Sequence, residues 1–207
     1  MTDSIKILRI QYENIPLFHD GCFEFSFLAE DRVSDPAQVF QLRKNLYTQK
    51  LTALVGINAS GKTSVLKLIY LAISIVLERG SLNTLVYDKS LLQDETKITI
   101  DFCHGDSCYE LHSIIGKRAP SRSTGTELYF KEEQLFKKPL ASIKSKKDAL
   151  YFDQTRLALQ RSQLPKDALG FLKFDVSIVI SIMTDRQLPA IRSLIAFINN
   201  NALMLYG

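Results

Sequence analysis

Residues 56–63 read Gly-Ile-Asn-Ala-Ser-Gly-Lys-Thr, which fits the spacing G-x-x-x-x-G-K-[ST] at every position. Few stretches of eight residues constrain a backbone as strongly. Gly56 lets the chain leave a strand through a turn that a side chain would obstruct. The residues after it curl so that their N–H groups point inward and form a concave anion site, with Asn58, Ala59 and Ser60 on its wall. Gly61 leaves the wall bare where phosphate oxygens approach, and Lys62 reaches the terminal phosphates as a point charge. Thr63 offers a hydroxyl to Mg²⁺, Ser64 follows in the helix, and the helix that opens there turns its positive end to the same anion. The flanks suit this reading: "LTALVG" (51–56) is an apolar run expected to be a buried strand, and residues 61–79 keep apolar side chains at helical spacing up to Arg79-Gly80.

The chain of 207 residues has room for one domain or slightly more, and its 46% hydrophobic and 23% charged residues are those of a globular protein. "MTDSIKILRIQY" is charged and alternating, unlike a secretion signal. "VLKLIYLAISIVL" (65–77) is too short to span a bilayer and carries Lys67, so a buried helix is expected and no membrane partner. Three cysteines, Cys22, Cys103 and Cys108, do not suggest a disulfide framework, and a reducing cytoplasm is the simplest home.

Along the chain, "IKILRIQY" (5–12) and "CFEFSF" (22–27) alternate as strands do, and "AEDRVSDPAQVFQLRKN" reads as a loop or short helix. "KITIDFCH" and "SCYELHSII" form a hairpin around "HGDS"; "TELYF" and "EQLFKK" read as another. From Asp148 the pattern turns mostly helical, broken at Pro165 and Pro189, while "FDVSIVISIM" (174–183) suits either helix or strand. The expected fold is α/β, a mixed sheet whose central strand feeds a helix through the glycine loop. The division is a phosphate-loop lobe with antiparallel hairpins at 1–147 and a partial helical subdomain at 148–207.

The N-terminal third resembles the ATP-binding N-lobe of ABC-type ATPases in the RecF/SMC/OLD branch, cytoplasmic proteins of DNA repair, chromosome maintenance and phage defence. "ILRIQYENI", "FEFSF" and "LTALVGINASGKTSVLKLI" carry the resemblance, with Asn14-Ile15 where the family has an Asn-aromatic pair and Asn58 and Ser60 matching the loop. It implies a P-loop NTPase fold, ATP and Mg²⁺ as cofactors, Lys62 as the catalytic lysine and Thr63 as the metal ligand, and a homodimer or a second ATPase half or effector as partner. Absence of N-K-x-D, a guanine-reading signature, also favours adenine.

The family's remaining hydrolytic groups are not found as motifs. There is no S-G-G. Asp94-Glu95 follows "SLLQ" rather than an apolar strand, Arg186 follows Asp185 where a glutamate belongs, and no histidine follows His112. Gln154, Gln160 and Gln163 remain candidates for the glutamine at the lobe junction. Hydrolysis therefore needs a second half, because a water-positioning carboxylate and a second metal ligand are separate from the loop. Two rival readings stand beside this one. A non-catalytic module gated by nucleotide needs no further residues, and a small P-loop kinase needs a lid rich in arginine, where Arg156, Arg161, Arg186 and Arg192 are scattered.

Weaker signals remain. Cys103, His104, Cys108 and His112 lie close enough to suggest zinc, but no second ligand pair exists, and buried cysteines in an ordinary hairpin explain them as well. Residues 117–147 hold nine Lys or Arg against three Glu, a local excess of six, so with +4 overall the remainder is near −2. The run "KKPLASIKSKKD" (137–148) is thus the candidate nucleic-acid contact, against the ordinary reading of a solvated loop. Tyr12, Phe18 and Phe23 are either adenine-stacking rings or core.

Overall fold

The computed structural model describes residues 5–29, 35–55, 61–77, 80–86, 88–119, 125–164 and 172–180. Its frame is a six-stranded sheet in the order β2-β1-β5-β6-β7-β8, antiparallel at every pairing. The strands are β1 (Lys6–Glu13), β2 (Cys22–Ser26), β5 (Thr96–His104), β6 (Ser107–Arg118), β7 (Glu127–Pro139) and β8 (Leu157–Gln160). A separate hairpin of β3 (Val39–Arg43) and β4 (Leu46–Gln49) adjoins it where Leu28 bridges Thr48. The helices are α1 (Lys62–Leu77), α2 (Leu82–Leu85) and α3 (Lys146–Ala149).

Alternation makes the strands, and one bulge gives the sheet two cores. Ile10 and Tyr12 of β1, Ile98, Ile100 and Phe102 of β5, and Leu111 of β6 point to the front face, where α1 lies. Between Ile7 and Arg9 the β1–β5 register slips by one residue. The extra residue turns Leu8 to the back, where it meets Cys103, Cys108, Leu28, Leu46, Leu140, Ile143 and Ala149 in a second, smaller core. Arg9 lies opposite Asp101, and Asp101 opposite Glu110, so a charged row crosses three strands on that face. Arg9 Nε donates to Asp101 Oδ2 at 2.7 Å.

Several expectations need correction. Residues 51–55 are in no strand; Leu51 is 86% and Val55 93% exposed. Strands form just upstream instead, β3 within the stretch expected as a loop and β4 just after it, because "VFQLR" and "LYTQ" are joined by Lys44-Asn45, with Asn45 taking the left-handed turn conformation (φ 65°). "TELYF" and "EQLFKK" belong to one strand, β7: no glycine or proline separates them, and a register slip opposite Ile114 and Ile115 replaces the expected turn. Residues 148–164 hold β8 and short 3-10 turns rather than long helices, and β8 pairs with β7 across the expected boundary at 147/148. No parallel pairing occurs among the described residues, so the expected mixed sheet is an antiparallel one.

A buried ion pair ties the last described segment to the sheet. Glu133 of β7, fully buried, accepts from Arg161 Nε at 2.8 Å and Nη2 at 2.6 Å, from Ser177 Oγ at 2.6 Å and from the Ile178 amide at 3.0 Å. Removing one partner of such a pair leaves an uncompensated buried charge. Glu133→Ala should therefore cost about 3–5 kcal/mol in urea unfolding, and should open residues 172–180 to proteolysis before the sheet unfolds; an unchanged midpoint would contradict this.

The charged row predicts a pH dependence. Burial pushes the Asp101 carboxyl up to about 7, with Arg9 opposing and Glu110 adding to the rise. An unfolded aspartate loses its proton near ~4, so between the two values the folded state holds more protons and stability falls as pH rises. Burial raises Glu133 in the same direction. Asp101→Asn should flatten the decline in the urea midpoint between roughly pH 4 and 7; a slope as steep as the parent's would contradict the assignment.

Candidate phosphate-binding site

The site starts from the docking of α1 on the sheet. Leu68, Leu71, Ala72 and Ile75 recur at i, i+3, i+4 and i+7, and all are buried against the front face. Each large apolar side chain so buried contributes roughly 1.5–3 kcal/mol. Ala72, with no exposed surface, lets the helix approach closely. Tyr12 locks the register: its hydroxyl, buried in the core, donates to the Leu68 carbonyl at 2.7 Å. Burial drives that phenol's pKa upward and keeps it a donor. Tyr12 is thus a core residue and not a base-stacking platform. Phe18 and Phe23 stack on each other at 5.3 Å and pack, half-buried, against the same core.

At the N-terminus of α1, Gly61 adopts φ 82°, a left-handed conformation that favours glycine. A Cβ built there meets nothing within 4 Å, so the space beside it is open. The Val65 amide donates to the Gly61 carbonyl at 3.0 Å, closing the first helical turn. No acidic residue stands in that first turn, where a carboxylate would offset the positive helix end. Lys62 and Ser64 are half-buried and Thr63 is exposed. Gly56, Asn58, Ala59 and Ser60 lie outside the described residues. The described part of the expected loop is Gly61 to Ser64, at the head of a 16-residue helix. Those residues suit a magnesium-bound polyphosphate: an open approach beside Gly61, a helix N-terminus with no acid in its first turn, an ammonium and a hydroxyl.

The other expected residues are dispersed. Asn14 takes φ 59° at the end of β1 and clamps the start of β5, donating to the Asp94 carbonyl at 3.0 Å while Gln93 donates to its side chain and Thr96 to its carbonyl. Asp94 caps the Lys117 amide at 2.9 Å and Glu95 pairs with Lys131, so both acids serve a turn. Arg161 is committed to Glu133. Gln154 and Gln163 lie in 3-10 turns and Gln160 ends β8 opposite Gln134. Asp185, Arg186 and Arg192 lie outside the described residues.

The zinc expectation is replaced by a covalent one. Cys103 and Cys108, directly opposed across a two-residue turn at Gly105-Asp106, form a disulfide. No cluster of three or more metal-ligating side chains exists among the described residues. His112 Nε2 instead lies 2.9 Å from Glu110 Oε1, and His104 ends β5 rather than occupying the turn. The basic run at 137–148 is not one loop. Lys138, 4% exposed, donates to the carbonyls of Asp148 and Tyr151 and sits 3.9 Å from the Phe152 ring centre, while Lys137, Lys144 and Lys147 are exposed.

Sequence reading missed an apolar cavity of about 60 Å³ beside α1, lined by Leu68, Tyr70, Leu71, Leu85 and Leu91 and flanked by the Lys67–Asp88 pair. Its walls come from α1, α2 and the turn before β5, which no local pattern links. No protein-family model matches the chain, and no curated protein or solved structure matches it.

The cysteine pairing has a simple readout. Alkylation in denaturant without reductant should add one group, at Cys22, the cysteine left free; three additions by intact mass would contradict the pairing.

Proposed function

We propose that the chain binds ATP with Mg²⁺ through Gly56–Thr63, as the nucleotide-binding lobe of an ABC-type ATPase of the RecF/SMC/OLD kind, in the service of DNA maintenance or phage defence. The observation that carries the reading is the head of α1. There the one motif in the chain with a fixed phosphate-binding geometry coincides with a left-handed Gly61, open space beside it and a first turn free of acids. In this assignment the loop amides and Lys62 hold the β- and γ-phosphates, Thr63 stands at the metal side, and Ser64 follows it in the helix. Mg²⁺, when bound, supplies the charge that neutralises the phosphate oxygens during transfer.

Hydrolysis needs a carboxylate to position water, and three acids that follow the helix are used elsewhere: Asp88 caps a turn and pairs with Lys67, and Asp94 and Glu95 hold the β5 turn. The chain alone is therefore a binder with slow turnover, and a second half or effector completes the enzyme as homodimer or heteromer. The kinase alternative loses Arg161 to a structural ion pair. Nucleic-acid contact, in this reading, falls to Lys137, Lys144 and Lys147, with Lys138 turned inward. No helix among the described residues is long and apolar enough to cross a membrane. A cytoplasmic home rests on the resemblance, and the Cys103–Cys108 disulfide does not favour it.

Calorimetry with MgATP tests the proposal. Saturable binding should weaken by about tenfold or more in Lys62→Ala, as expected for loss of a charged hydrogen bond. Turnover should stay far below the roughly 1–100 s⁻¹ of complete phosphoryl-transfer enzymes. Equal affinity in the parent and Lys62→Ala would overturn the binding reading; brisk hydrolysis lost in that variant would overturn the need for a second half.

A further inference from the structure

The segment that crosses the back face carries four cations at 140–156, Lys144, Lys146, Lys147 and Arg156, against two acids, Asp148 and Asp153. Both acids cap main-chain amides: Asp148 accepts from Lys144 at 2.8 Å and Asp153 from Thr155 at 2.9 Å. Lys144 and Lys147 are exposed, and neither forms an ion pair with a described residue. Tyr151 stands out beside them. Its neighbours Leu150 and Phe152 pack against the second core, yet Tyr151 is 66% exposed, the most open large aromatic among the described residues. Its main chain is held from beneath, with Lys138 on the Asp148 and Tyr151 carbonyls and Arg9 Nη2 on the Leu150 carbonyl at 3.4 Å. The ring is thus presented to solvent on an anchored backbone.

Local geometry brings ring and lysines together. The Leu150 and Tyr151 amides donate to the Lys147 and Asp148 carbonyls, so the chain keeps turning past α3 and Tyr151 stands one turn from Lys147, on the side that i and i+4 share. Asp148 draws the Lys144 amide onto the same turn. Arg43 donates to the Leu140 and Ile143 carbonyls, which brings the β3–β4 turn and exposed Lys44 alongside. Lys137 belongs to the other face, 5.9 Å from the Tyr109 ring centre. Lysines alone suit any polyanion, and the ring narrows the choice. An open aromatic face beside cations suits a ligand whose own flat rings are uncovered and joined by phosphates. A single strand of nucleic acid offers both, whereas a duplex keeps its base faces in the stack. A bilayer calls for several apolar side chains beside the lysines, and Tyr151 is the one large hydrophobic exposed in 140–156.

We infer that Lys144, Lys147 and Tyr151, with Lys44 alongside, bind single-stranded nucleic acid, the lysines holding phosphates and the Tyr151 ring stacking on one base. The surface belongs to the nucleic-acid part of the proposed function, on which it rests, and does not need nucleotide at the head of α1.

Fluorescence anisotropy tests this with the full chain and labelled oligo-dT, oligo-U and a DNA duplex, each of about twenty nucleotides per strand, with MgATP affinity measured on the same preparations. At least one single strand should bind more tightly than the duplex, the tighter of the two naming DNA or RNA as the source. Tyr151→Ala should weaken single-strand binding by about tenfold with an unchanged melting temperature, since the side chain is exposed. Tyr151→Phe should keep the parental affinity, because the stacking face survives. Lys147→Gln should lower the slope of log affinity against log salt by about 0.7. Equal affinity for duplex and single strands, or unchanged affinity in Tyr151→Ala, would overturn the stacking role and leave the broader nucleic-acid reading standing. Binding to phosphatidylserine vesicles but to no oligonucleotide, or no binding to any of these probes, would overturn both. Loss of MgATP binding with the Tyr151→Ala effect intact would fault the nucleotide reading alone and support this surface.

Discussion

The docking of α1 on the antiparallel sheet is the contact on which the rest depends. Tyr12 reaches from β1 to the Leu68 carbonyl inside the core, and Ile10, Ile98 and Ile100 meet Leu71, Ala72 and Ile75 around it. A lone helix of 16 residues is marginal in water. Packed on the sheet, it becomes a rigid axis whose N-terminal amides are fixed in direction. The open, positive end at Gly61–Ser64 is thus a consequence of packing a whole turn away, and a phosphate meeting it would find its donors already ordered. Sequence sets the motif, packing sets the axis, and the axis aims the charge.

The same logic explains what could be read from residues alone. β1 and β2 were legible because apolar and polar residues alternate along them, and the β5–β6 hairpin, buried on both faces near its end, because the turn at Gly105-Asp106 carries its own signal in a glycine at φ 55°. The helix was legible from Leu68, Leu71, Ala72 and Ile75. The exposure of Leu66 and Leu77 was not: in sequence they look the same as the buried leucines. Residues 51–55 failed for a related reason, since an apolar run reports a demand for burial, and Leu51 and Val55 are exposed. The long β7 was split in reading because its slip at residues 130–132 interrupts the period as a turn would. β8 was hidden because four residues held by pairing with β7 and by the Arg161–Glu133 bond carry little local pattern.

The back face shows a different economy. It combines a small core with a crossing row of Arg9, Asp101 and Glu110, and one Asp101 oxygen finds no hydrogen-bond partner. Segment 140–151 is held over it by cations on main-chain carbonyls, Arg43 on Leu140 and Ile143 and Lys138 on Asp148 and Tyr151. Lys138 is consumed by that role, so the basic run is divided, with one lysine tying the strap while others face solvent.

The central claim is that a triphosphate tail, not a base or sugar, is what α1's N-terminus recognises. Parallel calorimetric titrations with ATP, ADP and AMP in magnesium test it most directly. The account predicts affinity falling steeply from ATP to AMP, with AMP binding weak or undetectable, because the donors address the outer phosphates. Equal affinity for all three nucleotides, or none for ATP, would contradict it.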